Sequence, residues 1–253
     1  MQPDRRWRVW IGWDPNEVLA NEVAAKSLRQ TSRLPVEVSQ LDYRPLQQVG
    51  VYLRETRSRE GRYWDEISEA PMTTGHAIAR FFVPWLANYD GWALFTDGDV
   101  LFRQDIAALL LYADPSKALQ VVQHAPMPEA EQKKAGMTQT LYARKNWSSV
   151  ILFNCGHPSH RVLSAGDPAT WPLNTWPGRD LHAFKWLKDE EIGALPQEWN
   201  YLSGVTKPRP ESVSLVHFTM GVPSLSDHAR DEFADEWLTV AADLQPSMAR
   251  VNA

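Results

Sequence analysis

Apolar and polar positions alternate along the first half of this chain in blocks that predict strands and helices in turn. Between residues 17 and 31, apolar side chains recur at helical spacing and share one face. Residues 76–89 also predict a helix, which Pro84 kinks or restarts. The apolar segments of strand length in this half are 7–13, 36–41, 92–96 and 118–123. Strands that alternate with helices predict an α/β fold, with a mostly parallel central sheet flanked by helices.

The second half predicts fewer regular elements. Apolar segments at 148–154 and 213–218 predict two more strands, and 227–244 predicts an amphipathic C-terminal helix. The further helices that we expect are short, at 105–112 and 180–187. No internal repeat and no change of composition marks a boundary, so we expect a single domain over residues 1–253.

Two long polar stretches, 42–72 and 126–147, show little periodicity. Long loops in compact domains are usually lids or disordered segments, so we expect one of them to close over a ligand. Flat aromatic rings stack on sugars, and the tryptophans that we consider available for this are Trp147, Trp176 and Trp199.

Composition and charge narrow the class of protein. The chain is 43% hydrophobic and 23% charged, which is enough apolar material for a core, and its net charge of −5 gives no reason to expect nucleic-acid binding. Cys155 is the only cysteine, which excludes an intrachain disulfide and favours a reducing compartment. No segment has the length of a signal core or a transmembrane helix. We therefore expect a cytoplasmic protein without a transmembrane segment, whose contact with a membrane would be peripheral.

The strongest chemical signal is the segment 92–102, in which an apolar strand ends in Asp97-Gly98-Asp99. Two carboxylates at the end of a buried strand are costly unless a cation neutralises them. Mg²⁺ and Mn²⁺ take oxygen ligands and share their remaining positions with phosphates. The pattern therefore predicts a metal that holds a diphosphate, although Asp-Gly is also a common turn dipeptide.

A late histidine extends this hypothesis. His217 follows the apolar segment at 213–218, and ligands of open α/β sheets lie at the carboxyl ends of the strands. A neutral imidazole with two carboxylates suits Mn²⁺ better than Ca²⁺. Taken alone, His217 is better explained as a hydrogen-bonded histidine that ends a strand.

Six short segments, taken in order, resemble the glycosyltransferase A fold, and within it the family 8-like retaining enzymes related to glycogenin and to the bacterial galactosyltransferases of lipopolysaccharide synthesis. These segments are 11–17, 77–81, 95–99, 150–156, 195–201 and 216–221. The resemblance implies that Asp97 and Asp99 form the metal-binding Asp-x-Asp motif, that His217 completes the metal site, and that Gly221 belongs to the donor site.

The resemblance also implies the residues that bind the donor. Asp14 and Asn16 would contact the nucleoside, Arg80 would lie near the phosphates or the donor sugar, and Asn154 would line the donor sugar. The same Asp14 and Asn16 are also good starting signals for the helix that follows them. Both roles stay open at this point.

Two departures from the family concern the reaction itself. The family's lysine after the histidine segment is missing, since Gly221 leads into Val222 and Pro223. Arg179-Asp180 stands where the family has Asp-Gln, so Arg179 could supply the missing positive charge. The resemblance places Asp180 close to the reacting carbon, although an aspartate there also suits the start of a helix.

We therefore expect a metal-dependent glycosyltransferase that moves a sugar from a nucleotide diphosphate sugar to a hydroxyl of a glycan or a lipid-linked saccharide. We expect the donor to be a UDP-sugar and the transfer to proceed with retention. Its cofactor would be Mn²⁺ or Mg²⁺. Two alternatives remain. One is a haloacid-dehalogenase-like phosphatase that uses Asp97 as nucleophile, although such enzymes place this residue on their first strand. The other is a catalytically silent protein that binds a sugar or a nucleotide.

Overall fold

The computed structural model of the protein describes residues 6–59, 62–125 and 144–244. The β-strands are β1 (Trp7–Gly12), β2 (Val36–Leu41), β3 (Thr56–Arg59), β4 (Arg62–Asp65), β5 (Ala70–Met72), β6 (Trp92–Thr96), β7 (Val100–Phe102), β8 (Leu119–Val121), β9 (Val150–Asn154), β10 (Ile192–Ala194), β11 (Tyr201–Leu202) and β12 (Leu215–His217). The α-helices are Val18–Thr31, Tyr43–Gln48, Val83–Leu86, Ile106–Leu110, Pro172–Thr175, Gly178–His182 and Ala234–Ala242.

The central sheet has six strands in the order β10-β8-β9-β6-β1-β2. Strand β1 is parallel to β2 and to β6, and β10 is parallel to β8. Strand β9 runs antiparallel to both β6 and β8, so five strands share one direction and β9 opposes them. The expected α/β fold with a mostly parallel sheet is confirmed. The carboxyl ends of β1, β6 and β8 meet at one edge of this sheet.

A second sheet, β11-β12-β7, lies beyond the end of β6. Strand β7 continues the chain just after the two aspartates, and β12 pairs with it in antiparallel register, with His217 opposite Val100. The helix Val18–Thr31 buries Ala20, Val23 and Leu28 and packs against β7. Its apolar face therefore fixes the second sheet against the first.

The stretch 42–72, which we expected to be a loop or lid, is folded. It contains the helix Tyr43–Gln48, where Asp42 accepts a hydrogen bond from the Arg44 amide, and a third sheet in the order β3-β4-β5. The strands of this sheet are antiparallel and largely polar, which is why the hydrophobic pattern did not reveal them. The other stretch falls mainly on residues 126–143, outside the described residues.

Several predicted helices are shorter than the apolar pattern suggested. Residues 76–89 do not form one helix, because a 3₁₀ turn at Ala79–Phe82 leads into the short helix Val83–Leu86, with Pro84 in its first turn. The C-terminal helix begins at Ala234, after a 3₁₀ turn at Ser226–His228. The short helix Pro172–Thr175 was not predicted.

Candidate metal and nucleotide site

Asp97 and Asp99 lie on either side of a tight connection between β6 and β7. The Asp97 amide donates to the carbonyl oxygen of Ser149 at 2.8 Å, which ties this end of β6 to the start of β9. The phenylalanine after His217 donates its amide to the Asp99 carbonyl at 2.9 Å, which continues the β12–β7 pairing. The backbone therefore fixes both aspartates independently of their side chains.

The antiparallel pairing of β12 with β7 brings His217 to the aspartates. Its Nε2 atom lies 3.2 Å from Oδ1 of Asp99 and 4.0 Å from Oδ2 of Asp97. One ligand atom from each of the three residues lies within 4.8 Å of the others. Two ligand atoms of a single Mg²⁺-sized ion are about 3 Å apart when they bind at right angles. The predicted convergence of Asp97, Asp99 and His217 is thus present.

A second layer of side chains orients His217. Its Nδ1 lies 3.2 Å from Oδ1 of Asn200, and Nδ2 of Asn200 donates to Oγ of Ser149 at 2.9 Å. Since that amide nitrogen is engaged, the Asn200 oxygen accepts from Nδ1 of the imidazole. The Nε2 atom is then the one turned toward the carboxylates, as second-layer hydrogen bonds commonly arrange in metal sites.

The charges at the site compensate one another when no ion is bound. Burial would lower the pKa of His217, but Asp99 and then Asp97 outweigh burial and raise this pKa. Burial would raise the pKa of Asp97, but Arg80, His76 and His217 hold it well below its usual range. A proton on His217 would supply positive charge at the position that a metal ion would take, and metal binding would release this proton.

Arg80 and His76 hold the other oxygen of Asp97. An Nη atom of Arg80 lies 2.9 Å from Oδ1 of Asp97, and Nε2 of His76 lies 3.3 Å from the same oxygen. Arg80 is 5% exposed and also donates to the carbonyls of Ala77 and Ser148. We expected it near the phosphates or the donor sugar, and its contacts fix the carboxylate of Asp97.

Unsatisfied polar atoms collect at this edge of the sheet. Within the described residues, Oδ1 of Asp97 and Oδ1 of Asp99 are buried and accept no hydrogen bond of good geometry. Nε2 of His124, three residues beyond β8, is also buried and without a hydrogen-bond partner. Buried polar groups in native proteins normally have partners. Two half-buried carboxylates beside an imidazole nitrogen are a donor set that fits a divalent ion.

Glu17 joins the acidic group, although the sequence indicated only that it begins the first helix. It is half-buried, and burial together with Asp99, Asp14 and Asp97 raises its pKa to about 7. Its position at the start of the helix after β1 was visible in the sequence. Its proximity to Asp99 was not, because that depends on how this helix packs on β7.

Asp14 is buried and shapes the loop after β1. Its Oδ1 accepts from the backbone amide and from the side-chain amide of Asn16, each at 2.9 Å, and its Oδ2 accepts from the Gly75 amide at 2.8 Å. The helix that follows has Glu17 at its N-cap and receives no side-chain cap. Asp14 therefore orders a loop that presents the exposed Asn16, and it does not cap the helix.

Asn154 lies away from the aspartates. Because β9 is antiparallel to β6, Asn154 is opposite Trp92 at the start of β6, whereas Val150 is opposite Thr96, next to Asp97. Its side-chain amide donates to the carbonyls of Pro115 and Lys117. The structure thus does not bring Asn154 to the site that we predicted for it.

Residues just before β9, at its other end, contact the site instead of Asn154. The Ser148 carbonyl accepts from Arg80 at 2.7 Å, the Ser149 carbonyl accepts from the Asp97 amide, and the Ser149 hydroxyl accepts from Asn200. The segment 146–149, just before β9, is therefore the part of the chain here that contacts the site. The sequence contained no signal for it, because an apolar strand reads the same in either direction.

Asp180 lies on the helix Gly178–His182, which reaches the site through His182. Nδ1 of His182 is 2.7 Å from the Ser148 hydroxyl, and burial followed by Arg80 lowers the pKa of His182 to about 3. Asp180, two residues earlier, instead pairs with Lys185 at 2.7 Å. Residues two apart on a helix do not face the same way. Arg179, with a side chain 68% exposed, lies 3.7 Å from Asp180.

Gly221 closes the turn after β12. Its amide donates to the Phe218 carbonyl at 2.9 Å, and its φ of 142° is a conformation that side-chain-bearing residues rarely adopt. A Cβ atom there would overlap the imidazole of His228.

Of the tryptophans considered for stacking on sugars, Trp199 is 1% exposed and belongs to the core. The expectation that it stacks on a sugar is therefore wrong for Trp199.

Known structures with the same overall shape define the class of fold. The chain matches the bifunctional glycosyltransferase WbbM with a TM-score of 0.57 and 17% identity, over 94% of this chain and 50% of WbbM. It matches the galactosyltransferase LgtC, solved with donor and acceptor sugar analogs, with a TM-score of 0.57 and 15% identity, over 93% of this chain and 95% of LgtC. The fold is therefore the glycosyltransferase A fold.

A curated sequence relative defines the family. The chain is 39% identical to Protein CDI of Arabidopsis thaliana over 236 residues, which are 92% of this chain and 85% of that protein. The chain belongs to the family of Protein CDI. No family model matches it. Among the described residues, no helix is long and apolar enough to cross a membrane.

Proposed function

We propose that this protein is a glycosyltransferase that moves a sugar from a nucleotide diphosphate sugar, with a UDP-sugar as the expected donor, to a hydroxyl group of a glycan or lipid-linked saccharide. The observation that carries this proposal is the convergence of Asp97, Asp99 and His217 at the carboxyl edge of a glycosyltransferase A sheet. The domain that performs it would comprise the whole chain, 1–253.

Asp97, Asp99 and His217 would hold one divalent ion, Mn²⁺ or Mg²⁺. Such an ion would neutralise the charge that develops on the leaving nucleoside diphosphate. Arg80 and His76 hold Oδ1 of Asp97, so they leave Oδ2 of that residue directed toward His217. The protein thus positions its ligands before the donor arrives, which is the arrangement that electrostatic catalysis requires.

The loop after β1 would bind the nucleoside. Asp14 orders this loop through three hydrogen bonds, and the loop exposes Asn16, whose amide can pair with a base edge or a ribose. Gly221 would lie at the opposite side of the metal site, in the turn after β12. Asn154 is not part of the proposed donor site, since the register of β9 places it at the far end of the sheet.

Metal-dependent turnover of sugar nucleotides tests this function. UDP-glucose, UDP-galactose, UDP-xylose and GDP-mannose would be incubated with the protein, with and without Mn²⁺, and release of the nucleoside diphosphate measured. Slow hydrolysis without an acceptor should need the metal and should fall at least a hundredfold in Asp99→Asn. Asp243→Asn, which changes an exposed carboxylate paired with Lys26, is the matched control and should keep the parent rate.

Failure has two recognisable forms. Binding of a nucleotide without any turnover, with or without saccharide acceptors, would favour the catalytically silent alternative. Turnover that is equally fast in a chelator and with Mn²⁺ would contradict the metal role of Asp97, Asp99 and His217.

Transfer with retention and a catalytic role for Asp180 belong to the same proposal. Asp180 would act at the donor's reacting carbon, after its ion pair with Lys185 opens. Asp180→Asn should then lower turnover by about a hundredfold while donor binding persists, which corresponds to about 2.7 kcal/mol of transition-state stabilisation. Lys185→Met is the control and should retain turnover. Parent turnover in Asp180→Asn, or an inverted product anomer by NMR, would remove this part of the proposal.

A further inference from the structure

His124 stands at the same edge of the sheet as the aspartates. It lies three residues beyond the end of β8, and β8 runs in the direction of β6 because both are antiparallel to β9. Its backbone is fixed on both sides, since its amide donates to the Val122 carbonyl at 3.1 Å and its carbonyl accepts from Nε1 of Trp147 at 2.9 Å. The residue is 9% exposed.

The imidazole of His124 carries an unused hydrogen-bonding atom. Within the described part of the chain, its Nε2 is buried and has no hydrogen-bond partner. Leaving such a group unpaired is unfavourable, so a ligand that pairs with it gains affinity. Burial, and then the nearby positive charge of His217, lower the pKa of His124 to about 4, so the ring is neutral and can donate or accept.

The order of the strands separates His124 from the nucleoside loop. In the sequence β8-β9-β6-β1, the metal-binding aspartates follow β6, the loop with Asp14 and Asn16 follows β1, and His124 follows β8. Neighbouring strands are about 4.8 Å apart, so β8 lies about 10 Å from β6, on the side away from β1. A sugar nucleotide whose diphosphate is at the aspartates and whose base is over the β1 loop would place its sugar toward His124.

We propose that Nε2 of His124 forms a hydrogen bond with a hydroxyl group of the donor sugar, which makes His124 a residue that selects the sugar. This inference rests on the proposed glycosyltransferase function. It deepens that function by assigning the sugar part of the donor to a named side chain. His124 is therefore a binding residue, separate from the residues that would hold the metal.

Calorimetric binding of UDP and of UDP-sugars in the presence of Mn²⁺ tests the assignment without requiring turnover. The quantity of interest is the ratio of the affinity for UDP-glucose, UDP-galactose or UDP-xylose to the affinity for UDP. In His124→Phe, which keeps a flat ring and removes the polar atom, affinity for the sugar nucleotide should fall about tenfold while affinity for UDP is unchanged.

Two further variants separate the hydrogen bond from simple packing. His124→Gln places an amide near the position of Nε2, and His124→Asn places one near the position of Nδ1. We expect the glutamine variant to retain more of the sugar-dependent affinity than the asparagine variant. This comparison remains informative if the phenylalanine variant does not fold.

The outcomes that contradict the inference differ from those that contradict the function. If the unmodified protein binds no UDP or UDP-sugar with Mn²⁺, the proposed function and its donor fail together. If UDP binds and the ratio is the same in the unmodified protein and in the three variants, only the role of His124 fails. Equal losses of affinity for UDP and UDP-sugar would also overturn that role, since they would indicate a structural effect.

Discussion

Gly98 separates the two aspartates and has no room for a side chain. A Cβ atom at this position would lie 2.6 Å from the Gly12 carbonyl oxygen and 2.6 Å from Nδ2 of Asn21. These two groups are hydrogen-bonded to each other and join β1 to the helix Val18–Thr31. The glycine therefore lets the aspartate pair pack directly against the end of β1.

This close approach predicts the effect of Gly98→Ala. The new methyl group must displace backbone, so the free energy of unfolding should fall by about 1–3 kcal/mol, and affinity for Mn²⁺ should weaken with it. Gly156→Ala, where the nearest atom to the new Cβ is 3.7 Å away, is the control and should have little effect. Urea unfolding measures both variants, and unchanged stability in Gly98→Ala would show that the packing there is looser than described.

His160 gives the protein a pH-dependent stability that is independent of the site. Burial lowers its pKa to about 4, and its Nε2 lies 2.8 Å from the Ala118 carbonyl, to which it donates. An unfolded histidine titrates near 6.5, so below that pH the unfolded chain binds a proton that the folded chain excludes. Stability therefore decreases as the pH falls from about 6.5 through 4, by up to about 3 kcal/mol.

The substitution His160→Gln tests this dependence. Glutamine can donate to the same carbonyl and does not titrate, so the variant should lose less stability than the unmodified protein between pH 7 and pH 4. Chemical unfolding at several pH values gives the comparison. Parallel pH profiles for the two proteins would show that His160 does not exclude the proton.

Residues of the site differed in how far the sequence could predict them. Asp97 and Asp99 were predictable because they follow an apolar strand directly, and His217 because it ends another. Glu17, His76 and His124 were not, since their proximity to the aspartates comes from packing between segments far apart in the chain. Local patterns carry no information on such contacts.

At the scale of elements, a buried ion pair joins the segment before β3 to the end of β4. Nε of Arg54 donates to Oδ1 of Asp65 at 3.0 Å, and both side chains are fully buried. Arg54 also donates to the carbonyls of Leu173 and Trp176, just before the helix that carries His182. The pair thus fixes the position of that helix relative to β4.

Breaking this pair should be costly. Arg54→Met leaves the Asp65 carboxylate buried without its partner, so we expect a loss of about 3–5 kcal/mol. The double variant with Asp65→Leu should recover much of this loss, because no buried charge then remains. Arg57→Met, in an exposed pair with Glu55, is the control and should change stability little. A double variant no more stable than Arg54→Met would contradict this explanation.

Elements with one apolar face were predictable, and elements stabilised by polar groups were not. Strands β2 and β6 begin and end where the apolar pattern placed them. The third sheet was missed because its strands are short and polar and because Arg54 and Asp65 are buried as a pair. The direction of β9 was also unpredictable, and it is this direction that removes Asn154 from the site.

At the scale of the whole molecule, the candidate site is built from the six-stranded sheet and the β11-β12-β7 sheet. The six-stranded sheet places the loop after β1, the aspartates and His124 along one edge, and the small sheet brings His217 to the aspartates. The order of the motifs along the chain predicted this architecture. The distances between the motifs could be obtained only from the structure.

The most direct test of the central claim is a crystal structure of the protein with Mn²⁺ and UDP, analysed by anomalous scattering. We predict one manganese peak bound by Asp97, Asp99 and Nε2 of His217 at about 2.0–2.3 Å, in contact with the diphosphate of UDP. The uridine should lie over the loop with Asp14 and Asn16. Crystals with UDP bound but with no manganese between these three side chains, or with manganese held elsewhere, would contradict the metal site on which the proposed function depends.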